Sequence, residues 1–158
     1  MEEANQTKMI NKKNTQVKTF PIPLPLFKIK ENISIETSDF SKEKIINQAF
    51  QFHSQGNIQE AAKLYQYFID QGFCDHRVFS NYGVILQNLG KLKDAELSTR
   101  KAIGVNPEYA KAHSNLGNIL RCLGKLEDAE LSTLKAIGLN PDIAEAHSNL
   151  GSILIDLG

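Results

Sequence analysis

The sequence predicts an all-α chain: a solenoid of helical hairpins, about three and a half of them, behind a disordered, extended N-terminal tail. Three observations predict it. A stretch of 34 residues recurs without a gap. Small and apolar residues inside it return at helical spacing. Glycine and Asn-Pro punctuate the copies at the same two places.

The copies His76–Tyr109 and Ala110–Ile143 share 21 of 34 residues. A third starts at Ala144 with AEAHSNLGSILIDLG and runs to Gly158, and a divergent one, Lys42–Asp75, precedes them. The domain reading is therefore a tail over 1–41 and an array over 42–158, with repeats 42–75, 76–109 and 110–143 and a truncated 144–158. A fixed period of this length signals stacked supersecondary units, each unable to bury its apolar face alone.

Each unit reads as two helices. Leu116, Ile119, Leu120 and Leu123 form the first stripe, and Gly124 ends it. Leu126, Ala129, Thr133, Ala136 and Ile137 form the second, and Asn140-Pro141 ends that one because proline cannot continue a helix. Small residues run in columns: Ala49, Gly83, Gly117, Gly151 in the first helices, and Ala61, Ala95, Ala129 in the second. They let the two helices of a hairpin approach closely. The first copy has Phe73 where later copies have proline. The last copy lacks a second helix, so its first helix is expected to show an apolar face, as in a fragment of a longer array or an end that self-associates.

The tail before Ser41 is rich in Lys, Asn, Thr and Ser, with six lysines and no acid between Lys8 and Lys30. Pro21, Pro23 and Pro25 alternate with Ile22, Leu24 and Leu26, which predicts extended backbone. It reads as a leader, or as a short adhesive segment for the array or a partner.

Eighteen basic and eighteen acidic side chains cancel, so the broad positive field of a nucleic-acid binder is missing. No apolar run reaches the roughly 18 residues of a membrane helix, and the polar first residues contain no signal-peptide core. Cys74 and Cys122 read as reduced thiols of a cytoplasmic protein. Phosphate-loop and dinucleotide glycine patterns are missing. His113 and His147 share a column without an accompanying acid or cysteine column, so they read as packing residues between helices and not as metal ligands. The chain is expected to be no enzyme in itself, with no cofactor and no metal.

The 34-residue period, the small-residue columns, the turn glycines Gly56, Gly90, Gly124 and Gly158, and Pro107 and Pro141 resemble the tetratricopeptide repeat. The resemblance implies a right-handed superhelix whose first helices line a concave groove. In that groove Asn47, Asn81, Asn115 and Asn149 would form a column, flanked by Ser80, Ser114 and Ser148. An asparagine amide carries both donors and an acceptor, so the column can hold an extended peptide backbone. It is similar to the asparagine ladder of O-linked N-acetylglucosamine transferases, although such asparagines can also bond locally. Variable neighbours, Arg77, Lys111, Glu145, Val84, Asn118, Ser152, Gln87 and Arg121, would supply specificity. A clamp on a partner's C-terminal carboxylate fits poorly: Lys111 and Asn81 match two of its columns, but Ile46, Phe50 and Asn115 occupy others.

The functional expectation is an interaction scaffold for a peptide or protein segment. The alternative is the substrate-recruiting N-terminal part of a larger glycosyl-, sulfo- or methyltransferase, since regular arrays of this kind resemble those that precede such domains.

Overall fold

The computed structural model describes residues 37–158, with side chains from Lys42 onward. The proline-alternating segment and the rest of the expected tail before residue 37 lie outside the described residues. The array consists of seven helices: α1 (Thr37–Ser54), α2 (Ile58–Asp70), α3 (His76–Asn88), α4 (Leu92–Val105), α5 (Ala110–Cys122), α6 (Leu126–Leu139) and α7 (Ala144–Leu157). No strand occurs among the described residues. α1 starts ahead of Lys42, where the repeat period begins.

The chain turns where its glycines stand. Gly56, Gly90 and Gly124 follow α1, α3 and α5 with φ of 77°, 72° and 73°, a left-handed conformation that costs glycine nothing. The backbone then closes the same cap each time. Gly90 N–H donates to Gln87 O at 2.9 Å and Lys91 N–H to Leu86 O at 2.9 Å, and Gly124 and Lys125 repeat the pair on Arg121 and Leu120 at 3.0 and 2.9 Å. These two bonds occupy carbonyls that a helix end leaves unmatched. At the other end of each hairpin, Asn106 Oδ1 accepts from Glu108 N–H at 3.1 Å and Asn140 Oδ1 from Asp142 N–H at 3.0 Å. Asn-Pro thus folds the short link to the next hairpin. The first copy has no proline there, and Asp75 caps α3 instead, accepting from Arg77 N–H at 2.8 Å and Val78 N–H at 3.4 Å.

Within a hairpin the helices meet through the glycine column. A Cβ at Gly83 would collide with Thr99 Oγ1 and lie 3.3 Å from the Ala95 carbonyl; at Gly117 it would collide with Thr133 Oγ1 and lie 3.1 Å from the Ala129 carbonyl. Ala95, Thr99, Ala129 and Thr133 are fully buried at these contacts. The first hairpin is built differently. Ala49 replaces the glycine, Tyr65 stands in the Thr99 and Thr133 column, and it packs in a larger core with Ile46, Leu64, Phe68, Val78 and Ile85.

Successive hairpins stack with their first helices in contact, α3 against α5 and α5 against α7. The second helices make no comparable contact with one another. A stack held on one side and loose on the other must curve, so α3, α5 and α7 line the inner face. The splay on the outer side leaves a cleft of about 310 Å³ whose lining includes Ile69, Phe79, Tyr82, Leu86 and Leu97.

The face of α7 that corresponds to the covered faces of α3 and α5 is bare. Nothing lies within 4 Å of a Cβ built on Gly151, and Leu154, Ile155 and Leu157 are exposed. This contrast between equivalent glycines gives a direct test. Gly117→Ala should lower the free energy of unfolding by about 1–3 kcal/mol, the usual cost of overpacking. Gly151→Ala should be neutral or raise it by up to about 1 kcal/mol through helix propensity. Urea unfolding followed by circular dichroism reads both.

Candidate functional site: the inner helical face

The asparagine column lies along the inner face, and the structure shows what holds it. Asn115 Nδ2 donates to Ser80 Oγ at 3.0 Å. One repeat later, Asn149 Nδ2 donates to Ser114 Oγ at 3.2 Å and to the Ser114 carbonyl at 3.3 Å. Each asparagine therefore ties its helix to the serine of the preceding first helix. A carbonyl only accepts, so the contact to Ser114 O fixes which end of the Asn149 amide faces inward. The Oδ1 atoms of Asn81, Asn115 and Asn149 have no hydrogen-bond partner among the described residues. These three side chains are half-buried, and Asn47 is exposed at the start of the array.

Ser80 and Ser114 were expected on the groove surface alongside Ser148. Both are buried, at 0% and 2% exposure. Their hydroxyls receive the asparagine amides, so they position the column and do not meet a ligand directly. Ser148, on the last of the described helices, is exposed.

The first copy carries Ile46 in the serine column, and an isoleucine cannot accept a hydrogen bond. Asn81 turns instead to Tyr65, whose hydroxyl accepts from Asn81 Nδ2 at 3.5 Å and lies 3.1 Å from His53 Nδ1. Burial pushes the Tyr65 phenol up to about 12, against a smaller downward effect of the Asn81 hydrogen bond. Burial also holds His53 below the ordinary imidazole value, and the Lys111 charge adds to this. A neutral imidazole accepting from the Tyr65 hydroxyl satisfies all three groups. The signal for this hub was present in the sequence as a tyrosine in a threonine column, in the same copy that lacks the column serine.

The charged residues expected to give specificity divide into two sets. Arg77 is folded back on its own helix start: Nη2 lies 2.8 Å from Asp75 Oδ2 and Nε 3.1 Å from Asp75 Oδ1. Its guanidinium also sits 5.3 Å from the centre of the Phe50 ring. Burial pushes the Asp75 carboxyl up, but the side-chain and backbone hydrogen bonds and the charge of Arg77 outweigh it, and the net shift is downward. Arg121 bridges repeats, with Nη1 3.0 Å from Asp156 Oδ2. Gln87 does the same through Nε2, 3.4 Å from Cys122 Sγ. Lys111 is exposed and makes no ion pair among the described residues; it lines a cleft of about 480 Å³ together with Ser114, Asn115 and Glu145. Asn118 is half-buried on α5.

His113 and His147 differ from the packing role expected of them. His113 Nε2 lies 2.9 Å from the Pro107 carbonyl, and His147 Nε2 lies 2.7 Å from the Pro141 carbonyl. A carbonyl accepts, so each ring donates there and pins the link ahead of its own helix. Neither ring is buried, because the proline carbonyl draws it toward the link. Among the described residues, no group of three His, Cys, Asp or Glu is placed to hold a metal, and no helix is long and apolar enough to cross a membrane.

These features define a class: a helical-hairpin solenoid with a polar ladder on its inner face. Residues 76–109 and 110–143 each match the family model of the tetratricopeptide repeat, and the chain carries tetratricopeptide repeats. No curated protein matches it by sequence. Among solved structures, the first tetratricopeptide domain of Spaghetti (RPAP3), bound to the HSP90 peptide SRMEEVD, is 25% identical with a TM-score of 0.69, covering 78% of this chain and 98% of that one. A Thermobaculum terrenum O-GlcNAc transferase mutant is 24% identical with a TM-score of 0.70, covering 76% of this chain but only 23% of that one. The Yersinia enterocolitica type III secretion chaperone SycD, in complex with a peptide of the translocator YopD, is 22% identical with a TM-score of 0.66, covering 78% of this chain and 99% of that one.

Two outcomes test the ladder and its hub. Ser80→Ala removes the acceptor of Asn115 and should destabilise the array by about 1 kcal/mol, a typical net hydrogen bond, in urea unfolding. Because the folded pKa of His53 is depressed, its contribution to stability is present above about pH 6.5, the unfolded value. That contribution is lost as pH falls through the lower folded value, since the unfolded chain binds the proton first. Thermal unfolding between pH 8 and pH 5 should show a fall in Tm that His53→Gln flattens.

Proposed function

We propose that the inner face binds an extended peptide segment of a partner protein, with the asparagine column as its main contact. The observation that carries this reading is the state of the amides. Each spends an N–H on the preceding repeat, and their carbonyl oxygens form a row of oriented acceptors spaced one repeat apart. An extended backbone offers N–H donors whatever its sequence, so such a row gives affinity with little sequence demand. Orientation by the buried serines means that little side-chain freedom is lost on binding. The bound peptide of the Spaghetti domain lends support, because that structure shares the fold over nearly its whole length. A carboxylate clamp fits poorly, because Ile46, Phe50 and Asn115 occupy columns where it needs other side chains. The likeness to the O-GlcNAc transferase is one of fold, and the reading as the recruiting segment of a larger transferase stands on the regularity of the repeats.

The test begins with a random peptide library displayed on phage and selected on the full chain. Binding of the selected peptides is then measured by fluorescence anisotropy. Asn81→Ala with Asn115→Ala should weaken them about tenfold or more, the loss expected for two hydrogen bonds. Unchanged affinity in a double variant that keeps its helical circular dichroism would sink the ladder.

A further inference from the structure

The cleft at the junction of α5 and α7 exists because one repeat lacks the plug that its neighbour has. It is lined by Tyr109, Ala110 and Lys111 on one side and by Leu139, Ile143 and Glu145 on the other, and holds about 480 Å³ open to solvent. One period earlier the corresponding place is filled from within. His76, the counterpart of Ala110, stacks edge-on against Tyr109, the counterpart of Ile143, with ring centres 4.6 Å apart. Arg77, the counterpart of Lys111, is folded onto Asp75. The histidine and tyrosine of the filled junction correspond to an alanine and an isoleucine at the open one.

The charge of the opened slot differs as well. Glu108 and Glu145 both line it, against the single cation Lys111. Neither carboxylate pairs with a base among the described residues. Glu145 stands where the filled junction has Lys111, so the sign of that position is reversed. The floor is apolar, from Leu139 and Ile143, and the rim carries a net negative charge. Lysine and arginine combine an aliphatic stem with a cationic head, and they bury the first while offering the second to acceptors.

We infer that this cleft is a subsite that takes a lysine or arginine side chain of the bound segment, its stem against Leu139 and Ile143 and its head at Glu145 and Glu108. The inference rests on the peptide-binding reading above. It adds a sequence preference to a ladder that otherwise reads only backbone.

The experiment uses the full chain and the same displayed library. Peptides whose binding depends on Asn81 and Asn115 should share a basic residue at one fixed position. Replacing that residue by alanine should weaken binding about fivefold, the size of a partly exposed ion pair with its stem contacts. The same replacement should have no effect on binding to Glu145→Lys, an exposed change that restores the charge of the filled junction. Ala110→His with Ile143→Tyr copies the plug and should erase the preference while leaving groove binding intact. If that double variant does not fold, Glu145→Lys alone decides. Enrichment of acidic or apolar residues at that position, or a basic preference that survives Glu145→Lys, overturns the subsite. Peptides that need the asparagines but show no basic preference overturn the subsite and leave the groove standing. Binding that is indifferent to the asparagines overturns both.

Discussion

The close approach of two helices at a glycine is the constraint on which the rest of this array depends. At Gly83 and Gly117 the first helix presses onto a threonine and an alanine carbonyl of the second, with no room for a methyl group. Helices this short are marginal alone. They persist because each buries one face within its hairpin and another against the next. The separation set at the glycine decides how far the second helices sit from the first-helix layer. It therefore governs the curvature of the stack and the width of its inner groove.

Stacking adds a second regularity, and it is offset from the first. The sequence repeats every 34 residues, but the polar contacts between first helices join residues 35 apart: Ser80 with Asn115, Ser114 with Asn149, Gln87 with Cys122, and Arg121 with Asp156. A step of one residue beyond the period means that neighbouring helices are staggered, so a residue meets the successor of its own counterpart. Two adjacent columns thereby become partners. Serine and asparagine side by side within a helix are acceptor and donor across helices, and one pair of columns serves the successive junctions from α3 to α7.

This offset explains what could and could not be seen in the sequence. Helices, turns and the glycine contact follow from local chemistry that repeats, so Gly90, Gly124, Pro107 and Pro141 marked them. The asparagine column was visible for the same reason. The burial of Ser80 and Ser114 was not, because a column read within one repeat says nothing about a partner that arrives from the next. Arg121 is a case of the same kind, since its partner Asp156 arrives from the next repeat, whereas Arg77 is held by Asp75 two residues before it; neither acid stands in a column shared by every copy. His113 and His147 stand in the column of the buried Phe79, yet their rings reach the carbonyls of Pro107 and Pro141 because an imidazole N–H seeks an acceptor that a phenyl ring does not.

The divergent first hairpin shows how the ladder tolerates a missing rung. Ile46 removes the hydroxyl that Asn81 would use. Tyr65, entering the threonine column of the same copy, delivers another hydroxyl from the opposite helix. The larger ring packs among Ile46, Leu64, Phe68 and Val78, and it brings His53 into the network. The amide of Asn81 therefore remains held by its N–H end, like those of Asn115 and Asn149. Keeping the donor side of that asparagine occupied, by chemistry unlike that of its neighbours, leaves its carbonyl oxygen available on the same inner face. Three amides are thereby held alike by two different devices, each through its Nδ2 end.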